Sequence, residues 1–183
     1  LLRALAPNTE PRTRIFLYQA LPRADRMDFV LQKNTELGVA AFAPLIAERC
    51  AAQGDPPGPQ RLARWRRIIQ EAAEQAGRAR LPALHPVQPL GAALASLPAQ
   101  ALCLLGAHEG PALSLRAILE PLPPPKPSTV CVFIGPEGGF SPQEVAQAQA
   151  ADARPFTLGP RILRTETAGL VACAAILYAL EEP

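Results

Sequence analysis

The chain is poor in the residues that build metal sites and disulfide frameworks. Its 183 residues include four cysteines and two histidines. No two cysteines form a Cys-x-x-Cys pair, so the spacing suits no common zinc site and no metal is expected. Cys103 and Cys131 lie in apolar, strand-like runs, and Cys173 lies in an alanine-rich segment. This pattern predicts buried thiols in a reducing cytoplasm.

Long apolar runs and targeting signals are also missing. No uncharged apolar stretch reaches the roughly 18 residues of a membrane span, so no membrane association is expected. The chain starts Leu-Leu-Arg-Ala-Leu, without an initiator methionine or a signal peptide, which predicts that it begins inside a longer protein. Its length suits one α/β domain, or one domain and a fragment of another.

Charge is unevenly distributed along the chain. Residues 1–80 carry 13 Lys or Arg against 8 Asp or Glu, whereas residues 81–183 carry 5 against 8. A basic first half permits a polyanionic partner such as RNA. A solvated helix surface would give the same count, so charge alone does not decide between them.

Hydrophobic patterning predicts strands that alternate with helices, which is typical of a mostly parallel sheet covered by helices on both faces. Ser141, Pro142 and Glu144 together carry the signals of a capped helix start. The predicted strands span 14–20, 39–46, 81–87, 101–105, 129–134 and 156–158. The predicted helices span 25–37, 61–76, 90–97, 111–119 and 166–180, with one more beginning at 141.

Three loops at the predicted carboxyl ends of strands stand out as ligand sites, Gly106 to Gly110, Gly135 to Phe140 and Gly159 to Thr167, and two of them carry sharper signals. The first, Gly135 to Phe140 (GPEGGF), holds three glycines and one Glu but lacks the Gly-Lys-Ser/Thr of a phosphate loop. A plain strand-to-helix turn is the alternative. The second, 158–168 (LGPRILRTETA), precedes an apolar helix. Helix capping by Thr165 and Glu166 would explain part of it, but not its two arginines.

Four motifs in order give the chain a family resemblance. They are RADRMDFVLQKNTELGV, RIIQEAAEQAGRARLP, GPEGGF and LGPRILRTETA. Over residues 14–180 the chain resembles the ribosomal RNA small subunit methyltransferase E family of the SPOUT superfamily. One departure is Arg23, where that family usually has Lys, so that a planar fork replaces a point-like ammonium.

The resemblance implies an α/β SPOUT fold with a C-terminal deep trefoil knot, an exception to the rule against knots. It implies a cytoplasmic homodimer that methylates N3 of a uridine in 16S ribosomal RNA, using S-adenosyl-L-methionine. Residues 14–183 would form the methyltransferase domain. Residues 1–13 would be the remnant of, or linker from, a missing N-terminal, PUA-like barrel domain that binds RNA.

The resemblance also assigns site residues. Three loops would hold the cofactor. They cover residues 104–109, 134–139 and 158–163, together with the start of the helix that follows the third. The cofactor-binding residues would be Leu104, Leu105, Gly106, Ile134, Gly135, Pro136, Glu137, Gly138, Gly139, Leu158, Gly159, Ile162, Leu163, Thr167 and Ala168.

Chemistry adds catalytic and RNA-contacting candidates. Uridine N3 carries a proton that must leave before the nitrogen can attack a methyl group, so a base or a stabilising cation is expected. Arg164 is the candidate for holding the substrate, and Glu137 and Glu166 are unranked candidates for proton removal or cofactor contacts. The predicted RNA-binding residues are Arg23, Arg26, Arg64, Arg67, Arg78 and Arg161.

Three other interpretations remain open at this point. The same fold could act on another RNA position. A non-catalytic RNA-binding or ribosome-assembly protein could carry a degenerate pocket, although intact glycine-rich and Arg-Thr loops argue against it. An unknotted α/β enzyme that binds a nucleotide is disfavoured because phosphate-loop signals are absent.

Overall fold

A parallel β-sheet forms the centre of the protein in a computed structural model, which describes residues 9–50, 57–107 and 110–180. The strand order is β3-β2-β1-β7-β5-β8-β6, with β4 paired to β2, and every pairing is parallel. The strands are β1 (Arg14–Ala20), β2 (Ala41–Ile46), β3 (Ala83–Leu84), β4 (Gln88–Pro89), β5 (Leu102–Gly106), β6 (Leu113–Ser114), β7 (Thr129–Ile134) and β8 (Arg154–Thr157).

Helices cover this sheet on both faces. The two faces of β7 are both protected, because Val130 to Ile134 are at most 3% exposed along successive positions. Helix α6 packs on α1, β1 and β7, while α3 contacts α5. The α/β fold class is therefore confirmed, whereas the knot stays a prediction. The helices are α1 (Arg26–Leu37), α2 (Pro59–Gln75), α3 (Leu90–Ala95), α4 (Leu115–Leu119), α5 (Pro142–Ala150) and α6 (Thr165–Leu180).

Local signals explain where several helices begin and end. The Ser141 hydroxyl accepts from the backbone N–H of Glu144, whose carboxylate accepts from the backbone N–H of Ser141, so the predicted capping box is confirmed. Helix α1 ends at Gly38, whose φ of 105° lies in the left-handed region. A side chain there would also collide with Pro11, which lies 2.6 Å from the ideal Cβ position.

Two predicted elements were wrong. The helix predicted to open at Pro111 begins only at Leu115, because Ser114 caps it by accepting from the N–H of Ala117. The residues just before it instead form the short strand β6. Of the strand predicted over 81–87, only Ala83–Leu84 is a strand. A second two-residue strand, Gln88–Pro89, follows the predicted range, and the two pair with different parts of β2.

Residues 9–13 are attached to the domain rather than projecting from it. Thr9 donates its hydroxyl to the carbonyl of Gly77 at 3.0 Å, and Glu10 pairs with Arg78 at 2.6 Å. The predicted remnant of a further domain covers 1–13, of which residues 1–8 lie outside the described part, so that prediction stays untested. Within the described residues, no helix is long and apolar enough to cross a membrane.

Candidate active site

A cavity of about 280 Å³ opens where three adjacent strands end. Strands β7, β5 and β8 lie side by side, so the loops that follow them meet at one edge of the sheet. The start of α6 closes the cavity from below. Its lining residues are Gly106, Ala107, Ile134, Gly135, Pro136, Glu137, Gly139, Phe156, Thr157, Leu158, Arg161, Ile162, Leu163, Arg164, Thr165 and Ala168.

The Gly135 loop is folded tightly on itself. A Cβ on Gly135 would stand 3.2 Å from the backbone of both Gly139 and Phe140, so the turn has no room for a side chain there. Gly139 closes the turn with its N–H donated to the carbonyl of Pro136 at 2.9 Å, and its φ of 67° favours glycine. The loop thus presents bare backbone to the cavity, as a close-fitting ligand requires.

The second loop leads into α6 in a way that contradicts the capping alternative for Thr165. The carbonyl of Arg164 accepts from the N–H groups of Thr167 and Ala168, so Thr165 already lies inside the helix. The Thr165 hydroxyl instead donates to the carbonyl of Gly135 at 2.5 Å, and it accepts from Gln19 Nε2 at 2.8 Å. Thr165 therefore ties the two loops together.

A cluster of one arginine and two carboxylates lies beside the cavity. Glu137 Oε1 accepts from the backbone N–H of Arg23 at 3.0 Å and from Arg26 Nη1 at 3.3 Å. The same Nη1 lies 3.6 Å from Glu166 Oε2, an atom that is buried without a hydrogen bond among the described residues. Only Glu137 of the two carboxylates lines the cavity. Arg26 is therefore shared between them.

Five of the fifteen predicted cofactor residues lie outside the cavity lining. Leu104 and Leu105 are 0% exposed, since they form the interior of β5 and not its end. Gly138 faces Arg49, whose guanidinium donates to the Gly138 carbonyl at 2.8 Å. Neither Gly159 nor Thr167 borders the cavity. The predicted residues that do line it are Gly106, Ile134, Gly135, Pro136, Glu137, Gly139, Leu158, Ile162, Leu163 and Ala168.

Sequence reasoning did not single out Phe156, Thr157 or Thr165 as cavity residues, whereas Ala107 falls within the predicted cofactor region 104–109. Phe156 and Thr157 lie at the carboxyl end of β8, so the strand-end rule could have found them. Thr165 was considered only as a helix cap. Of the catalytic candidates, Arg164 and Glu137 line the cavity and Glu166 does not.

The predicted RNA-binding arginines differ sharply in availability. The prediction that Arg78 binds RNA is corrected by its burial. Its side chain is only 3% exposed, is paired with Glu10 and donates to the carbonyl of Val39 at 2.7 Å. Phosphate could reach it only after those contacts broke. Arg64 and Arg67 are exposed but paired, the first with Asp28 and the second with Glu71. Arg23 and Arg161 are exposed and form no ion pair with another described residue.

The four cysteines are buried and free, as predicted. Burial raises the pKa of the Cys173 thiol to about 12, and burial also raises the pKa of Cys50. Thiols held in the protonated form are poor nucleophiles and poor metal ligands. Within residues 9–50, 57–107 and 110–180, no group of three or more His, Cys, Asp or Glu side chains could hold a metal ion.

Known proteins match the chain along nearly its whole length. The family model described as an RNA methyltransferase domain matches residues 9–177. The ribosomal RNA small subunit methyltransferase E of Bacillus subtilis is 35% identical over 95% of this chain and 69% of its own length. The protein of the same name from Synechocystis is 34% identical over 99% of this chain and 58% of its own length.

Solved structures agree with this match. The ribosomal RNA small subunit methyltransferase E from Neisseria gonorrhoeae, bound to S-adenosyl methionine, superposes with a TM-score of 0.81 at 40% identity, covering 92% of this chain and 67% of that one. A Legionella pneumophila structure with bound cofactor SAM gives 0.81 at 36% identity, covering 94% of this chain and 69% of that one. The chain thus spans between 58% and 69% of the lengths of these relatives.

Proposed function

The chain belongs to the RNA methyltransferase domain family, and from this premise we propose that it methylates N3 of a uridine in 16S ribosomal RNA. S-adenosyl-L-methionine would be the methyl donor, and the reaction would take place in the cytoplasm on the small ribosomal subunit. The observation that carries the proposal is the cavity between the Gly135 loop and residues 158–164, in a chain 40% identical to a relative bound to S-adenosyl methionine.

The cavity residues fit such a donor. Apolar side chains of Ile134, Leu158 and Leu163 suit the faces of an adenine ring, and a few polar groups among them would fix its orientation. Glu137 places a carboxyl group at the same cavity, where it suits a sulfonium cation. When bound, S-adenosylmethionine supplies an electrophilic methyl group. The cavity residues serve to align that group with the acceptor.

Of the two candidate carboxylates, Glu137 rather than Glu166 is assigned to remove the proton from the uridine. Both bonds to Glu137 reach Oε1, from Arg23 and Arg26, while Oε2 makes no hydrogen bond within the described residues. Oε2 therefore has free lone pairs that can accept a proton. Glu166 lies off the cavity and is held beside Arg26. In this scheme Arg26 is a positioning residue, which orients Glu137 rather than contacting RNA.

Arg164 is assigned to the substrate. It is exposed, lines the cavity and makes no ion pair with another described residue. Its planar fork suits a phosphate or the oxygens of a uracil anion. Arg161 and Arg23 extend the positive charge to either side, and the target nucleotide must be unstacked or flipped to reach the cavity. Residues 9–13 would be the end of a linker from an RNA-binding domain.

A homodimer formed through α6 is part of the proposal. Val171 and Tyr178 share one face of this helix at a spacing of seven residues, and they are 39% and 91% exposed. Exposed apolar and aromatic side chains on a helix whose other face is buried are typical of a subunit interface. Light scattering on the wild type and on Tyr178→Glu tests this proposal. The wild type should be a dimer and the variant a monomer, and a monomeric wild type would refute the homodimer.

Methylation of small subunits that lack the modification tests the function. Wild-type protein and S-adenosylmethionine should produce N3-methyluridine in 16S RNA, detected by mass spectrometry of nuclease digests. Arg164→Ala should abolish most of the product while keeping the fold. Arg116→Ala is a matched control, because that arginine is 83% exposed, pairs with Glu120 and does not line the cavity. Full activity in Arg164→Ala would exclude its assigned role, and methylation elsewhere would exclude the target.

A further inference from the structure

A buried amide below the cavity connects three separate elements. Gln19, near the end of β1, is 0% exposed and does not line the cavity. Its Nε2 donates to the Thr165 hydroxyl at 2.8 Å, and that hydroxyl donates to the carbonyl of Gly135 at 2.5 Å. Two hydrogen bonds in series therefore join β1, the start of α6 and the first residue of the Gly135 loop.

The direction of these bonds is fixed by chemistry. The Gly135 carbonyl can only accept, so the hydroxyl of Thr165 must donate to it and accept from Gln19. Only the nitrogen end of the amide can then face Thr165. The other end, Oε1, is buried without a hydrogen-bond partner among the described residues. A Cβ on Gly169 would stand 2.9 Å from that oxygen, so a side chain there would displace the end of the amide.

An unpaired buried oxygen destabilises a fold, and an apolar side chain at this position would avoid that cost. The amide is therefore poorly explained by stability alone. Its Nε2 donates to the carbonyl of Ala20 at 3.2 Å and, over a shorter distance, to the hydroxyl of Thr165. Both Thr165 and Gly135 line the cavity. Because the Gly135 turn is packed backbone against backbone, a shift at its first residue moves the whole loop.

We infer that Gln19 is a positioning residue for the methyl-donor pocket, which acts by orienting Thr165 so that its hydroxyl holds the Gly135 carbonyl in place. This inference rests on the proposed function for its ligand. Small displacements of aligning groups have large effects on binding and rate. Loss of the amide should therefore weaken ligand binding although Gln19 touches no ligand.

The first test compares two buried amides. Asn34 matches Gln19, since it is 0% exposed, donates from Nδ2 to the carbonyl of Val30 at 2.9 Å, and has an unpaired buried oxygen. Calorimetry with S-adenosylhomocysteine should show roughly tenfold weaker binding for Gln19→Leu than for Asn34→Leu. Equal affinities in the two variants would overturn the inference.

The second test separates the donated proton from side-chain volume. In Gln19→Glu, the neutral acid can donate to Thr165, whereas the carboxylate cannot. The register partners of this side chain, Pro44 and Ile134, and its contacts with Thr165, Gly169 and the Ala20 carbonyl are uncharged. The acidic residue that follows Thr165 on α6 is Glu166, which is held beside Arg26. Affinity for S-adenosylhomocysteine should be nearer to wild type at pH 6 than at pH 8. An equal loss of affinity for S-adenosylhomocysteine at both pH values would contradict a role for the proton that Gln19 donates to Thr165.

Amide hydrogen exchange of the ligand-free protein tests the role of Gln19 without depending on the proposed function. The Gly139 amide, bonded to Pro136, should exchange faster in Gln19→Leu than in Asn34→Leu. If the wild type binds no S-adenosylhomocysteine, the function fails, yet this exchange result still supports or overturns the role of Gln19. Should Gln19→Leu fail to fold, Thr165→Ser should retain slow exchange and Thr165→Val should lose it. Identical exchange in both would refute the role of the hydroxyl.

Discussion

Replacing Arg78 by alanine should destabilise the protein far more than replacing any of its exposed arginines. The Arg78 side chain is 3% exposed, and its partner Glu10 is 12% exposed. Its guanidinium donates to Glu10 at 2.6 Å and to the carbonyls of Val39 at 2.7 Å and Thr35 at 3.2 Å. Removing it leaves a poorly hydrated carboxylate and carbonyls without their donor.

Breaking a buried ion pair by removing one partner costs about 3–5 kcal/mol. For a domain of this size, that loss lowers Tm by roughly 6–20 °C. Arg67→Ala is the control, since Arg67 is 79% exposed and pairs with Glu71 one turn away, an arrangement that contributes little or nothing. Calorimetric unfolding of both variants checks the difference. Equal Tm values would refute the assignment of Arg78 as a structural anchor.

Two further predictions concern the same anchor and a helix start. Burial acts to raise the pKa of Glu10, but the hydrogen bond from Arg78 and those from the backbone outweigh it, so that pKa lies below its ordinary value of 4.5. The stability that Glu10 contributes is therefore present above that value and lost as pH falls through the lowered one. In urea titrations, the gap between wild type and Glu10→Gln should shrink from pH 7 to pH 3, and a constant gap would contradict it. Ser141→Ala removes the capping hydroxyl of α5 and should cost about 1 kcal/mol in the same titrations, and an unchanged free energy of unfolding would contradict the role of the cap.

Local sequence was sufficient for several features that depend on neighbours in the chain. The capping box of Ser141 and Glu144 needs only four consecutive residues, and it was predicted in full. The apolar run of β7 likewise predicts a strand covered on both faces, because a short run of β-branched and aromatic residues between turn signals is typical of one. The cavity loops were found by the same logic, since glycines directly after a buried strand indicate the ligand edge of a parallel sheet.

Pairings between distant residues were not predictable from these patterns. Arg78 follows a helix rich in exposed arginines, and a helical pattern cannot reveal that Glu10, 68 residues earlier, returns to cover it. Leu104 and Leu105 were assigned to the cofactor because the resemblance locates a loop there. In the structure β5 continues to Gly106, so the side chains of both leucines belong to the core. The strand predicted over 101–105 already contained both leucines, so the hydrophobic pattern indicated their burial more accurately than the resemblance did.

The hydrogen bonds from Gln19 to Thr165 and from Thr165 to Gly135 could not be predicted from the sequence pattern. Gln19 and Thr165 are 146 residues apart, and each has a local explanation that hides the contact. A glutamine within a strand resembles an ordinary exposed polar position, and a threonine before an apolar helix resembles a cap. Only parallel pairing of β1 with β7 brings the end of Gln19's strand beside Ile134, one residue before Gly135. Because that register is fixed by the pairing of two mainly apolar strands, substitutions that shift β1 against β7 should act on the cavity through Gly135.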